Sequence, residues 1–286
     1  MNKENKLRIG VIPAAGKGKR MGYLGHLLPK SLFPVYDRPL VHYVVNQMEK
    51  LGIEKIYIIV HSHKEKIIEY FDLFKQDIKA EIEFIVQEKL DGTGSAILLA
   101  KKFIDEPFMV IYGDDCTVTE TLPNMIDLFF SRGNAVVVEG AVKEKDKNIL
   151  RHTCSVNIDS DGEMIEILEK PEDPPYDTRG CGVYIFSPEI FKYIEDTPLH
   201  PIRKEKEITY TINALAKEGR AYAHILNGDN VNVNDFNELL KATLLVSNLR
   251  RVTDKVRKKY STKFWFFLWA ASFTFLLIFY LALNLK

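Results

Sequence analysis

Residues 7–22 read LRIGVIPAAGKGKRMG, an apolar run from Leu7 to Ile12 that passes through Pro13 into a turn holding Gly16, Gly18 and Gly22 among Lys17, Lys19 and Arg20. A short apolar run bounded by proline and glycine reads as a buried strand. The turn after it has the composition of a phosphate cradle. Gly16 and Gly18 let backbone N–H groups approach a triphosphate with no Cβ in the way, and the three cations supply positive charge. Spacing excludes two common cradles: a P-loop needs four residues between its first glycine and a Gly-Lys pair, and the dinucleotide fingerprint needs a third glycine where Met21 stands.

Outward from this stretch, short apolar strands alternate with amphipathic helices. Lys55–Val60, Ile82–Val86, Phe108–Ile111 and Ala135–Glu139 read as strands, and Leu40–Leu51, Lys64–Phe74, Gly94–Phe103 and Pro123–Arg132 as helices. The alternation predicts an α/β fold with a mostly parallel, doubly wound, Rossmann-like sheet covered by helices on both faces. After Arg151 the pattern turns strand-rich, with Thr153–Ile158, Met164–Glu169 and Gly182–Phe186, which predicts a small β-rich substrate lobe built onto the first half. A last amphipathic helix begins near Asp235.

The 286 residues are 46% apolar, enough to fill a packed core, and hold 39 basic and 39 acidic side chains. That balance hides an asymmetry. Residues 1–249 carry 31 basic and 38 acidic groups, whereas residues 250–286 carry eight basic groups and one acid, Asp254. An acidic body argues against nucleic acid as a partner. Cys116, Cys154 and Cys181 show no CxxC pair and no metal-ligand spacing, so neither a disulfide framework nor a zinc site is expected, and a reduced cytosolic body is. The N-terminal residues hold no apolar stretch of signal-peptide length.

Residues 264–285, FWFFLWAASFTFLLIFYLALNL, carry no charge. As a helix they span about 33 Å at about 1.5 Å per residue, the thickness of bilayer hydrocarbon, and are read as one C-terminal transmembrane helix. Seven cations from Arg250 to Lys263 precede the run and only Lys286 follows it, which places the body of residues 1–249 in the cytoplasm. The basic juxtamembrane segment, 250–263, would also attract anionic lipid head groups.

The stretch GVIPAAGKGKRMG…LPKSLFPVYDRPLVHYVV, Gly10 to Val45, resembles the signature of the sugar-1-phosphate nucleotidylyltransferases, the glucose-1-phosphate thymidylyl- and uridylyltransferase-like enzymes that make nucleotide sugars. The resemblance continues in order through Gln87-x4-Gly92-Thr93-Gly94-x-Ala96, YGDD at Tyr112–Asp115, LEKP at Leu168–Pro171, GCGVYIF at Gly180–Phe186 and EIT at Glu207–Thr209, and covers residues 7–240. It implies that residues 1–249 are a catalytic domain for Mg2+-dependent transfer of a nucleotidyl group from an NTP, a pyrimidine nucleotide by analogy, to a sugar 1-phosphate. A phosphate monoester has a second pKa of about 6, so the nucleophile is already mostly dianionic at neutral pH and needs no protein base. The obstacle is repulsion between two polyanions, and the remedy is charge neutralisation and alignment.

The resemblance gives that work to Arg20, Lys30 and Lys170 together with Mg2+. Arg20 and the backbone of the turn would hold the triphosphate, with Ala14, Ala15, Gly16, Lys17 and Gly18 on the nucleotide side. Lys30 would meet the phosphate at the reacting centre. Gln87, Gly92 and Thr93 would face the base. Lys170 would hold the phosphate of the incoming sugar phosphate, Glu169 would accept from a sugar hydroxyl, and the backbone of Gly180 and Gly182 would close that pocket. Asp114, at the carboxyl end of a buried strand, is the expected metal ligand. Many relatives offer a second carboxylate before the last helix; here Asn232 and Asn234 stand in that region, both as candidate ligands, with Asp235 as a helix cap. Cys154 departs from a glycine that faces the sugar in many relatives, which leaves the sugar open. A transmembrane anchor suggests delivery of product to a membrane glycosyl- or phosphotransferase. Two alternatives stay open: a cytidylyltransferase acting on a phosphorylated polyol or choline-type lipid head-group precursor, and a catalytically weak nucleotide-sugar sensor.

Overall fold

Val11 and Ile12, adjacent and both fully buried in strand β1 (Ile9–Pro13), enter two different hydrophobic cores on opposite faces of one sheet. The computed structural model describes residues 6–16 and 18–254. The further strands, in chain order, are the short ladder β2 (Pro34–Val35) and β3 (Arg38–Pro39), then β4 (Lys55–Val60), β5 (Glu81–Val86), β6 (Phe108–Ile111), β7 (Asp115–Thr119), β8 (Val137–Lys143), β9 (Cys154–Ile158), β10 (Met164–Glu169), β11 (Thr178–Phe186), β12 (Ala221–Ile225) and β13 (Gly228–Asn232). The helices are α1 (Gly22–Leu27), α2 (Leu40–Lys50), α3 (Lys64–Leu73), α4 (Thr93–Leu98), α5 (Leu122–Ser131), α6 (Lys147–His152), α7 (Ile190–Asp196), α8 (Ile208–Lys217) and α9 (Phe236–Asp254).

The central sheet has seven strands in the order β12-β8-β11-β6-β1-β4-β5. Its pairings are parallel except at β11, which runs against both of its neighbours, β6 and β8. Ile56 and Ile58 of β4 pack with α2, α3 and α5 on one face, whereas Tyr57 and Ile59 pack with α4, α7 and α8 on the other. A strand covered on both faces must be apolar throughout, which is why β1, β4 and β6 read as unbroken apolar runs. Each such Val or Ile contributes roughly 1.5–3 kcal/mol by burial.

The α/β class and mostly parallel sheet match the sequence expectation, with β4, β6 and β10 falling where they were read. The strand expected at Ala135–Glu139 begins at Val137 and runs on to Lys143, and that expected at Gly182–Phe186 begins at Thr178. The helix expected over Gly94–Phe103 ends at Leu98 and resumes as a 3-10 turn at Lys101–Phe103. The hairpin β9–β10 forms the β-rich lobe and packs on β11 and α8, so the lobe shares its support with the central sheet.

A second ribbon, β7–β13, was not legible in advance. Its strands read DCTVT and GDNVN, too polar to show an apolar alternation. It is held from within: Asp115, buried at 2% exposure, accepts from Thr117 Oγ1 and takes Asn230 Nδ2 at 2.9 Å on each carboxylate oxygen. The register pairs Asn232 with Asp115, and the N–H of Val233 donates to the Asp114 carbonyl at 2.8 Å. Residues 232–234 are thereby fixed beside Asp114. α9 starts there, with Asp235 accepting from the Glu238 N–H at 2.9 Å, and buries Ala242 and Val246 against Val233, Val35 and Leu40. The remainder of the basic segment and the expected transmembrane helix at 264–285 lie outside the described residues. Among the described residues no helix is long and apolar enough to cross a membrane.

One backbone crossing joins the two halves. Lys206 N–H donates to the Asp91 carbonyl at 2.6 Å and Gly94 N–H to the Lys206 carbonyl at 2.8 Å. Gly92 lies in this crossing at φ +115°, and a Cβ there would stand 2.4 Å from the Lys206 carbonyl oxygen. Gly92→Ala is expected to destabilise the fold by roughly 2–4 kcal/mol through strain and overlap. Thermal or urea unfolding measures this, and a wild-type midpoint would show that the crossing is not built this way.

Candidate active site

Three separate stretches meet at the carboxyl ends of β1 and β6. Asp114 follows β6, Lys30 opens a 3-10 turn after Pro29, and Asn234 follows β13. The Lys30 ammonium forms an ion pair with Asp114 and donates to Asn234 Oδ1 at 3.1 Å; its side chain is only 11% exposed. Arg20 Nη2 donates to the same Asn234 oxygen at 2.7 Å. Four of the residues expected to handle phosphate and metal, and Asn232 beside them, are therefore one cluster.

The two asparagines differ. Asn234 presents its oxygen to the two cations, whereas the Asn232 side-chain oxygen is taken by Asn234 Nδ2. The Asp114 carboxylate and the Asn234 amide oxygen thus bracket a single positive centre, here the lysine ammonium, and hard oxygen donors of this kind suit Mg2+. Among the described residues no group of three or more His, Cys, Asp or Glu could hold a metal. A cation at this cluster would take one carboxylate, an amide and phosphate oxygens. Asp115 points away, into the β7–β13 ribbon, where burial pushes its carboxyl up to about 7 despite the bonds from Thr117 and Asn230.

The turn after β1 borders this cluster. Ala14 and Ala15 are buried, and the Ala14 N–H is spent on the Ile59 carbonyl at 2.8 Å. Gly16 is exposed, with open space where a Cβ would point, and Gly18 is left-handed at φ +60°. Lys17 lies outside the described residues. On the expected base side, Gln87 is buried and its amide donates to Asp91 Oδ1 at 3.3 Å. Gly92 has the steric reason given above, and Thr93 Oγ1 accepts from the Ile208 N–H at 3.1 Å.

On the expected sugar side, Lys170 is left-handed at φ +47°, 44% exposed in its side chain and 2.7 Å from Glu169 Oε1. Glu169 also accepts from Thr209 Oγ1 at 2.8 Å. Gly182 is left-handed and packs on the Tyr112 ring, while the Gly180 N–H donates to Cys154 Sγ at 3.2 Å. Glu169 and Cys154 are partners in the β10–β9 register, and the Cys154 thiol is buried beside Gly180. Burial pushes the Cys154 thiol well up, and it is neutral.

Sequence reading missed two residues here. Arg203 Nη2 stands 2.8 Å from Glu207 Oε1 and 3.7 Å from Glu169 Oε1, and Glu207 in turn accepts from Thr93 Oγ1 at 3.3 Å. Arg203 therefore ties the hairpin end at Glu169 to Glu207 and, through it, to Thr93. Its spacing four residues before Glu207 of the EIT motif was the available signal. Glu139 is the other: it lies fully buried under Gly180, and a lone glutamate in a strand gave no signal.

Residues 9–260 match the family model described as nucleotidyl transferase. The chain is 34% identical over 218 residues to the bifunctional protein GlmU of Methanocaldococcus jannaschii, a match spanning 76% of this chain and 49% of that protein, so the chain spans about half the length of that relative. It is 29% identical to the UTP–glucose-1-phosphate uridylyltransferase of Staphylococcus epidermidis over 84% of this chain and 92% of that one. A crystal structure of UDP-glucose pyrophosphorylase complexed with UDP-glucose superposes with a TM-score of 0.76 at 25% identity, covering 85% of this chain and 99% of that one. The fold is also that of a putative glucose-1-phosphate thymidylyltransferase from Bacillus anthracis, TM-score 0.74 at 24% identity over 83% and 94% of the two chains. With a glycine turn after β1, a carboxylate at the end of β6 and a family match across most of its length, the chain belongs to the nucleotidyl transferase family and is an enzyme of that type.

Proposed function

We propose that this enzyme transfers a nucleotidyl group from a pyrimidine NTP to a sugar 1-phosphate in a Mg2+-dependent reaction, releasing pyrophosphate, and that it works at the cytoplasmic face of a membrane. The observation that carries the reaction is the convergence of Arg20 and Lys30 on Asn234 beside Asp114. Relatives and structural neighbours named for glucose 1-phosphate and UDP-glucose support the substrate class.

In this reading an oxygen of the sugar phosphate attacks the α-phosphorus in line and pyrophosphate leaves. Arg20 and the N–H groups of the Gly16–Gly18 turn hold the triphosphate. Lys30, enclosed enough for its charge to act at low dielectric, offers its ammonium to the phosphate at the reacting centre. Lys170 brings in the second phosphate, and Glu169 orients the sugar through a hydroxyl. Asp114 with Asn234 would hold Mg2+, which supplies charge neutralisation between the two polyanions. The membrane reading rests on the uncharged run 264–285 and the cations before it, which would bind lipid and place the product near membrane glycosyl- or phosphotransferases.

Pyrophosphate release measured with ATP, GTP, CTP, UTP and dTTP against a panel of sugar 1-phosphates and phosphocholine tests the reaction. Turnover with a pyrimidine nucleotide and a sugar 1-phosphate is expected. Turnover with CTP and phosphocholine alone, or nucleotide-sugar binding without turnover, overturns it.

Asp114→Ala is expected to lower kcat by about 10³-fold or more while the circular dichroism spectrum stays native, with the melting temperature lowered because the enclosed Lys30 ammonium loses its ion-pair partner. Near-normal activity in that variant would contradict the metal assignment. Arg20→Ala, which changes an exposed side chain, is expected to raise KM for the NTP by roughly tenfold and leave KM for the sugar phosphate unchanged. Ending the chain after Tyr260 should move activity from the membrane pellet to the supernatant at unchanged kcat; activity that still sediments with membranes refutes the anchor.

A further inference from the structure

Glu139 belongs to no motif, and the reaction described above does not use it. Its side chain is 1% exposed; neither carboxylate oxygen makes a hydrogen bond of full geometry, and the Tyr184 side chain is the one donor near enough to act on it. A buried polar group left unpaired costs several times what an average hydrogen bond contributes, so such a group points to a partner that arrives with a ligand.

The position of Glu139 indicates which ligand. It pairs with Tyr184 in the β8–β11 register, and that ladder slips between Tyr184 and Gly180, a bulge of the kind that re-aims groups beside active sites. Glu139 Oε1 stands 1.8 Å from where a Cβ on Gly180 would be, and Cys154 Sγ stands 3.2 Å from the same point. Cys154 is the register partner of Glu169. The Glu139 carboxyl therefore takes the volume that a side chain at position 180 would fill, behind a partly exposed glycine on the wall that carries Glu169.

The groups coupled to Glu139 are Glu169 of β10, Cys154 of β9, Tyr184 and Cys181 of β11 and Tyr112 after β6; Arg179 of β11 acts on Cys154 and Cys181 but is not among the groups that shift Glu139. Burial, with Glu169 adding repulsion, pushes Glu139 up to about 8, and Tyr184 offsets part of this. At neutral pH the carboxyl is mostly protonated, giving one hydrogen bond and accepting others. A hydroxyl, which also gives and accepts, is its complement; an ammonium or a phosphate is not.

We propose that Glu139 is a specificity-determining residue of the sugar 1-phosphate site, whose carboxyl hydrogen-bonds one hydroxyl of a hexose 1-phosphate that carries no amino group, across the gap left by Gly180. This rests on reading the cleft as a sugar 1-phosphate site.

The test uses the full chain with Glu139→Gln and Glu139→Met, both close to glutamate in volume, and a panel of glucose 1-phosphate, its 2-, 3-, 4- and 6-deoxy analogues and glucosamine 1-phosphate. Wild type is expected to reject one deoxy analogue by about 10- to 100-fold in kcat/KM. E139Q should keep that discrimination, because an amide also gives and accepts, and E139M should lose it. KM for the NTP should stay unchanged in both, and the melting temperature of E139M should equal or exceed that of wild type, since a buried carboxyl without a full hydrogen bond is removed. KM for the sugar phosphate should rise above about pH 8 in wild type, as the carboxyl ionises with no cation among the groups that shift it, and stay flat in E139Q.

Discrimination unchanged in folded E139M, KM values for NTP and sugar rising together, or a Glu139-dependent preference for glucosamine 1-phosphate each overturns the proposal while leaving the reaction intact. No turnover of any sugar 1-phosphate by wild type overturns the reaction and this inference with it.

Discussion

The ammonium of Lys30, held by Asp114 and Asn234 at 11% exposure, is the contact on which the cleft depends. It ties together residues 30, 114 and 234, which lie on a 3-10 turn, the end of β6 and the end of the β7–β13 ribbon. A charge so enclosed is tolerated only while its partners are in place, because removal of one leaves the other uncompensated. The contact therefore sets the position of all three stretches, and the elements that deliver them serve that position. The Asp115–Asn230 bonds fix the ribbon, Asp235 fixes the start of α9, and Pro29 starts the turn that carries Lys30.

Charge is distributed to the same end. The body carries more acids than bases, yet Arg20 and Lys30 converge where phosphate is expected. Arg203 extends the pattern: between Glu169 and Glu207 it neutralises two carboxylates on the sugar side that would otherwise repel both each other and an incoming phosphate. Glu207 shows the remaining strain of this arrangement, raised above the usual carboxylate range by burial first and Glu169 second. The chain from Glu169 through Arg203 and Glu207 to Thr93 also joins the hairpin end to the start of α4 by one polar scaffold.

What could be read from the sequence follows from burial. β4 and β6 were legible to the residue because an apolar run reports a strand packed between two layers, β10 because its alternation reports a half-buried one, and the site motifs were read through their resemblance to a known family. The β7–β13 ribbon was not, since its stability comes from Asp115, Asn230 and Thr117 bonding one another, a pattern that no hydrophobic count registers. The sequence reading placed no helix at α7 or α8, two short elements that follow the strand-rich region. Glu139 was invisible for a different reason: in VVVEGAV it is one polar residue in a strand, and only the tertiary structure places its carboxyl, buried, against Gly180.

Asparagine at position 234 alters the balance of the cluster. An aspartate there would form ion pairs with both Arg20 and Lys30, adding the attraction of a formal negative charge to the two hydrogen bonds from the cations. The two cations would then have to break those pairs before turning to phosphate. An amide oxygen accepts the same two bonds more weakly, at 2.7 and 3.1 Å, and releases them to a triphosphate at lower cost. The same substitution removes a formal negative charge from the set that would hold Mg2+, leaving Asp114 as its one carboxylate, so divalent cation and triphosphate are best bound together, each supplying charge that the other lacks. The asparagine thus shifts electrostatic work from the protein's own ion pairs to the substrate complex, where it acts on the reacting phosphates.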